Sequence, residues 1–304
     1  MKRNIYYSFL LAGAALAFTA CSDDDFSSQS IITTDMVEQT PLDKWLEVNY
    51  LQPYNIEMKY RYEFNESNAD YYTVPAEYEQ AVQMAHIVKY SCVEAYDEVA
   101  GIDFTRRYFP KLFFLEGEWH YRNNGTFELG TAEGGRKIFL MGVNYIDSYK
   151  YSIESLNEYY LKTIHHEFTH ILNQTVDYSA AYQMITSTGY VADSWSDAPW
   201  NTDYLQRGYI SAYAQQSHAE DFAEMMSMYV TNTEEQWEQW MQEAAGTDDN
   251  PQPGRAYLES KMDIVRSYMR DNFNIDLDEL RDAVLRREHD IVSGKIDLTD
   301  VSID

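Results

Sequence analysis

The stretch "TIHHEFTHILNQ", residues 163–174, decides how the rest of the chain is interpreted. Two of its histidines, His166 and His170, enclose a glutamate in the pattern His-Glu-x-x-His. Positions four apart lie on the same face of an α-helix, so both imidazoles can reach one metal ion. Glu167 then lies beside them, where a carboxylate can take a proton from water that a bound zinc ion has made acidic. The stretch therefore predicts half of a catalytic zinc site.

Neighbouring residues narrow the kind of zinc site. His165 is not predicted to be a metal ligand, because Thr169, four residues later, offers no second imidazole. The extended metzincin motif needs a glycine and a histidine where this chain has Asn173 and Val176, which excludes that class. Asp177 lies one residue away from the place that an aspartate ligand would take. We therefore look for the third ligand elsewhere.

The stretch "HAEDFAE", residues 218–224, offers three candidates: His218, Glu220 and Glu224. Glu220 and Glu224 lie one helical turn apart on one face, which suits one ligand and one partner that orients a histidine. Alternatively, Glu220 is only an early helix residue that pairs with Ser217. The residue pattern alone leaves all three candidates open.

The pair "HEFTH" and, some fifty residues later, "YAQQSHAEDFAEM" resembles the zincin metallopeptidases that use a glutamate as third ligand. It is particularly similar to the catalytic domain of anthrax lethal factor and related toxins, although His218 departs from the toxin pattern. The resemblance implies one zinc ion with Glu220 as its third ligand and Glu224 as a second acidic residue. It also implies that Tyr213 stabilises the oxyanion formed during hydrolysis.

The N-terminus predicts an export signal. Residues 1–20 combine a basic start, an apolar run and a small-residue end, and Cys21 follows where a lipoprotein signal is cut and its cysteine acylated. An ordinary secretory signal is the alternative. With the acidic "SDDD" after it and the two zinc motifs, the chain resembles zinc metallohydrolase lipoproteins of Bacteroidota that accompany outer-membrane importers. The resemblance implies a lipoprotein exposed on the outer membrane, with importer components as partners.

Composition limits the partners. The formal net charge is −27, and removal of the first twenty residues with Lys2 and Arg3 leaves −29. A field of this sign repels phosphate backbones, so we expect no nucleic-acid partner. Cys92 has no partner cysteine besides Cys21, which predicts a small buried apolar residue rather than a disulfide.

Periodicity predicts an α+β fold in which strands come first and helices follow, and the resemblance implies that this fold is zincin-like. After a flexible stalk over 21–39, we expect a single catalytic domain over 40–304. Its parts are an α/β part (40–150), a zinc-site core (151–230) and a helical part (231–304). The predicted strands lie at 56–64, 111–121 and 136–146, and the predicted helices at 74–101, 152–174, 217–230, 233–245, 254–272 and 276–292.

The aromatic segment between the two motifs is a candidate substrate wall, since both of its ends are tied to the zinc site. Its large rings are those of Tyr190, Trp195, Trp200 and Tyr204, and packing within the lobe is the alternative role. The leading hypothesis is a surface zinc peptidase that acts on peptides or glycoproteins. The alternatives are an amidase with the same metal chemistry and a non-catalytic import accessory with a vestigial zinc site.

Overall fold

The computed structural model describes residues 38–68, 70–122, 127–133 and 136–303. The predicted signal peptide 1–20, Cys21 and most of the predicted stalk 21–39 lie outside this range. Among the described residues, no helix is both long enough and apolar enough to cross a membrane. The chain from Gln39 onward forms one compact unit.

A four-stranded sheet lies in the N-terminal part. Its strands follow the order β1-β2-β6-β5; the first three are parallel, and β5 is antiparallel to β6. The strands are β1 Glu57–Lys59, β2 Leu112–Leu115, β3 His120–Tyr121, β4 Phe127–Glu128, β5 Gly130–Glu133, β6 Lys137–Leu140, β7 Gly246–Thr247 and β8 Asn250–Pro251. Strands β3 and β4 form a separate hairpin, as do β7 and β8. Strand β5 is therefore an edge strand of the main sheet.

Helices cover the sheet and make up the C-terminal part, which confirms the predicted α+β class. The α-helices are α1 Pro41–Leu46, α2 Gln52–Tyr54, α3 Tyr78–Val88, α4 Glu94–Ala100, α5 Ile102–Tyr108, α6 Ile146–Tyr149, α7 Ile153–Leu156, α8 Lys162–Thr175, α9 Ala180–Ile185, α10 His218–Val230, α11 Glu234–Ala245, α12 Gly254–Phe273 and α13 Leu277–Val292. A π-helical turn, Asn157–Leu161, joins α7 to α8 and makes one continuous helix that ends at Thr175.

Helix α8 is fixed by its apolar face. Ile164, Phe168 and Leu172 are fully buried, and burial of each such side chain contributes about 1.5–3 kcal/mol. The ring of Phe168 lies 4.9 Å from that of Tyr96 and 4.7 Å from that of Phe109, which ties α8 to the N-terminal helices. The helix packs against α10 and β5. This packing decides which side chains of α8 remain for chemistry.

Several sequence predictions were wrong in their bounds. The strand predicted over 136–146 ends at Leu140, and a 3₁₀ helix follows at Val143–Tyr145. The strand predicted over 56–64 ends at Lys59, because β2 offers partners only as far as Phe114. The apolar alternation holds to Tyr60, which is 6% exposed, but Phe64 is 74% exposed. The helix predicted from residue 74 begins at Tyr78.

The buried residues include a carboxyl group without a cationic partner among the described residues. Glu288 on α13 is fully buried and accepts one hydrogen bond, from the amide of Asn157 at 3.0 Å. Burial raises the pKa of Glu288 to about 8, and the Asn157 hydrogen bond only partly opposes the rise. The thiol of Cys92, buried as predicted, lies close enough for the Glu288 charge to raise its pKa further. Glu288 is therefore protonated in the folded protein at neutral pH.

We expect Glu288→Gln to stabilise the protein increasingly as the pH rises from 5 to 8. The unfolded chain releases the Glu288 proton above its ordinary pKa of 4.5, whereas the folded chain keeps it up to about pH 8. The parent therefore loses stability across this window, by about 2–5 kcal/mol, and the glutamine variant does not. Urea unfolding of both proteins at pH 5 and pH 8 measures the difference. If the free energies of unfolding of the two proteins changed equally between pH 5 and pH 8, the raised pKa of Glu288 would be contradicted.

Candidate metal centre

Three predicted ligands converge between α8 and α10. The Nε2 atom of His166 lies 3.0 Å from Oε2 of Glu220 and 3.1 Å from Nε2 of His170. The Nε2 atom of His170 lies 3.2 Å from the same Glu220 oxygen. Among the described residues, this is the one group of three metal-ligating side chains whose donor atoms lie within 4.8 Å of one another.

The donor set fits zinc. Donors bonded at about 2.0–2.1 Å in a tetrahedron lie about 3.3 Å apart, close to the separations between these three atoms. Two imidazole nitrogens and one carboxylate oxygen are also ligands that zinc prefers. Glu220 and His170 are only half-buried, so the group faces a cleft rather than a closed interior. A metal held here keeps an open side, which is typical of a catalytic site rather than a structural one.

Glu224 orients His166. One Glu224 oxygen lies 2.8 Å from Nδ1 of His166 and 3.0 Å from Nζ of Lys162, and the other accepts a hydrogen bond from Ser211 at 2.7 Å. Because Nδ1 donates to Glu224, the Nε2 lone pair of His166 is directed at Glu220 and His170. Glu224, one of the three candidates for third ligand, thus contacts the far side of the imidazole.

The acidic residues around His166 favour positive charge at this point. Burial opposes the charged imidazole, but hydrogen bonds to Glu220 and Glu224 outweigh it and raise the pKa of His166 to about 9. The same imidazole contacts overcome the effect of burial on Glu220, whose pKa is well below its usual range. Burial also opposes the charge of Glu224, but the charge of Lys162 and the hydrogen bond with His166 outweigh burial. The pKa of the Glu224 carboxyl group is therefore held below its usual range as well. Surroundings that hold a proton so firmly also attract a divalent cation.

The other histidines of the two motifs point elsewhere. His218 lies 2.6 Å from the hydroxyl of Tyr178 and is not part of the three-ligand group. His165 is fully buried against Tyr96, with 3.1 Å between the hydroxyl oxygen and Nδ1. Burial lowers the pKa of His165 to about 3, so its imidazole is neutral.

A cleft of about 280 Å³ opens beside the three-ligand group, and of its members His166 lines the cleft. It is lined by Arg122, residues 127–131, Lys162, Thr163, His166, Glu167, Trp195, Tyr213 and Glu224. The Tyr213 ring lies 5.9 Å from that of His166. Burial, with the nearby Glu220 carboxylate, raises the pKa of Tyr213 far above its usual value, so its phenol stays neutral and able to donate. The predicted base Glu167 and the predicted oxyanion donor Tyr213 thus lie on one cleft.

The aromatic segment contributes only part of the wall. Trp195 lines the cleft and packs edge-on against Tyr213, with 5.1 Å between the ring centroids. Tyr190 instead donates to buried Asp221, and Trp200 packs against Arg207. These two rings, like that of Tyr204, belong to the packing of the lobe.

The residue pattern did not identify two other parts of the cleft wall. Lys162 lies four residues before His166, and this helical spacing was a readable signal that it shares the face of the metal ligands. Residues 127–131 carry no such signal, because only the pairing of β5 with β6 brings them to the cleft.

A buried ion pair supports the ligand helix from behind. Asp221, the residue after Glu220, lies 2.6 Å from Nζ of Lys261 on α12, and both side chains are fully buried. Lys261 also donates to the carbonyl of Gly208 and lies over the ring of Tyr209, 4.1 Å from its centroid. The pair therefore joins α10, α12 and the segment that leads to Tyr213.

We expect Lys261→Met to lower the free energy of unfolding by about 3–5 kcal/mol, because Asp221 is left as an uncompensated buried charge. Thermal and urea unfolding measure the loss. Lys295→Met, at a lysine whose side chain is 67% exposed, is the matched control and should change stability by less than about 0.5 kcal/mol. Adding Asp221→Asn to Lys261→Met should recover part of the loss. Equal stability of Lys261→Met and Lys295→Met would refute the stabilising role of the Asp221–Lys261 pair.

Comparison with known proteins agrees with this geometry. The family model described as "Putative zinc-binding metallo-peptidase" matches residues 35–278. A crystal structure titled as a putative zinc-binding metallo-peptidase from Bacteroides caccae matches with a TM-score of 0.72 and 37% identity, over 86% of this chain and 96% of that one. No curated protein matches the chain. The predicted zinc metallopeptidase family and its zinc cofactor are confirmed: the chain belongs to the family of zinc-binding metallo-peptidases described by that model.

Proposed function

We propose that this protein is a zinc-dependent peptidase in which His166, His170 and Glu220 hold the metal and Glu167 is the general base. The observation that carries the proposal is the convergence of three donor atoms at separations of 3.0–3.2 Å beside the cleft that Glu167 lines. When bound, zinc acts as a Lewis acid on a carbonyl and lowers the pKa of water to about 7.

The side chains of the cleft divide the proton transfers between them. Glu167 accepts the proton of the attacking water and returns it to the leaving amine. Tyr213, whose raised pKa keeps its hydroxyl protonated, donates a hydrogen bond to the oxygen that gains negative charge. Glu224 holds the His166 tautomer, and Lys162 compensates the buried Glu224 charge.

The edge strand β5 suits an extended peptide. Gly130 and Thr131 line the cleft, and among the described residues β5 is paired on one side only, with β6. A peptide that lies along the free edge forms main-chain hydrogen bonds with a strand of this kind. This arrangement supports cleavage within a peptide chain and favours the peptidase over the amidase alternative.

We also propose that the enzyme acts at the cell surface, anchored through an acyl group on Cys21 and near outer-membrane importer components. The signal sequence and the acidic "SDDD" stretch support the anchor, and the resemblance to importer-associated lipoproteins supports the partners. A peptidase in that position would release fragments from peptides or glycoproteins outside the cell.

We expect Glu167→Gln to keep its zinc and to lose about 10²–10⁴-fold in kcat/KM, because the amide cannot take the proton. Hydrolysis of internally quenched peptides and the zinc content by mass spectrometry measure the two effects. Glu158→Gln, at an exposed glutamate just before α8, is the matched control and should behave like the parent. Parental turnover by Glu167→Gln would exclude Glu167 as the general base, whereas no turnover by the zinc-loaded parent would favour the vestigial-site alternative.

Three variants test which residue of the stretch 218–224 is the third zinc ligand. Glu220→Ala should abolish tight zinc binding, whereas His218→Ala should bind zinc like the parent. Glu224→Gln, which weakens the orientation of His166, should bind zinc about 10–100-fold more weakly. Competition with a chromogenic chelator measures all three affinities. Zinc retained by Glu220→Ala but lost from His218→Ala would reverse the assignment.

A further inference from the structure

Aromatic rings surround one carboxylate at the mouth of the cleft. Tyr121, Phe127 and Tyr145 are 59%, 39% and 37% exposed, and Trp119, 5% exposed, lies beneath them. The Trp119 ring lies 5.2 Å from that of Phe127 and 5.9 Å, nearly parallel, from that of Tyr145. Tyr121 and Phe127 rings lie 6.0 Å apart. Phe127 also lines the cleft beside Glu167, so the ring cluster continues the substrate site.

Glu118 is the carboxylate among these rings. It accepts hydrogen bonds from the hydroxyl of Tyr145 at 2.9 Å and 3.0 Å and from the backbone N–H of Trp119 at 2.9 Å. The hydroxyl of Tyr121 lies 3.5 Å from it. The two short contacts with Glu118 hold the phenol ring of Tyr145 in place, so this part of the cluster is ordered before a ligand arrives.

Within the part of the chain that the structure describes, no cation pairs with the Glu118 carboxylate. None of its partners among the described residues is basic, whereas the other carboxylates near the cleft are paired: Glu128 with Arg122, Glu224 with Lys162. Glu118 therefore lies beside partly exposed aromatic rings as a carboxylate that none of these neighbours neutralises.

This combination selects the chemistry of a ligand. Ring faces carry the negative end of the aromatic quadrupole and attract an ammonium or guanidinium group, which Glu118 then neutralises. An apolar side chain would instead remove water from Glu118 without replacing its hydrogen bonds, and an acidic one would be repelled. The charge of −27 on the chain repels anions further.

We propose that Glu118, Tyr121, Phe127 and Tyr145 form a subsite, the Glu118 subsite, for a lysine or arginine side chain of the substrate. The inference rests on the proposed peptidase function, since the subsite opens into the cleft that the peptide would occupy. It makes the enzyme selective for peptides with a basic residue at a fixed distance from the scissile bond.

A series of peptides tests the subsite. The peptides differ only in the position of a single lysine, and each has a matched peptide with acetyl-lysine at the same position. Acetylation keeps the stem and removes the charge. Binding is measured by fluorescence anisotropy to the zinc-loaded Glu167→Gln protein, which holds peptides without cutting them. At one position, lysine should bind about 3- to 30-fold more tightly than acetyl-lysine.

Adding Glu118→Gln should reduce this ratio to about one, and adding Tyr145→Ala should lower it, by loss of a ring face. Glutamine still offers an oxygen to the Trp119 N–H, so the local fold is kept, and thermal unfolding checks this. Glu57→Gln, with its side chain 58% exposed on β1 at the opposite edge of the sheet, makes the same change in net charge and should leave the ratio unchanged.

A ratio near one at every position, or an equal loss in Glu118→Gln and Glu57→Gln, would overturn the subsite. Turnover is read separately with the parent protein. Lysine-selective binding without cleavage by the zinc-loaded parent would reject the peptidase and keep the subsite. Cleavage without lysine preference in binding would keep the peptidase and reject the subsite.

Discussion

The Glu224 carboxylate makes the contact on which the rest of the site depends. It is 1% exposed, and isolated burial of such a charge would cost several kcal/mol. His166, Lys162 and Ser211 compensate it with contacts of 2.7–3.0 Å, and these contacts hold α8 and α10 together. The same contacts fix the tautomer of His166. The interaction that compensates the buried Glu224 charge therefore also directs the Nε2 atom of His166 towards Glu220.

Local spacing was enough to predict the half of the site that lies on α8. The apolar residues of that helix fix which face is buried, and the four-residue spacing then brings His166 and His170 to one point. The other half needed the family resemblance, because the residue pattern left three candidates on α10. A helix turns about 100° per residue, so His218 points away from Glu220, and packing against Tyr178 keeps it there.

Features that depend on distant pairing could not be predicted. The alternation over 56–64 continues past the point where β2 stops offering partners, and a strand needs a partner to persist. Asp221 and Lys261 are forty residues apart, and neither carries a local signal of burial. The ring cluster around Glu118 joins residues from β3, β4 and the segment before α6, three elements whose meeting is a property of the tertiary fold.

The distribution of charge matters more for the cleft than its total. Inside it, Lys162 compensates Glu224 and Arg122 compensates Glu128, while a divalent cation on His166, His170 and Glu220 would leave one positive charge that Glu167 balances. The surplus of negative charge lies outside the cleft and attracts basic peptides at long range, an effect that physiological salt screens beyond about 8 Å. Only a carboxylate without a cationic partner can then hold a basic side chain at one position. Among the described residues Glu118 meets this condition next to the cleft, so the proposed Glu118 subsite would add local recognition to the long-range attraction.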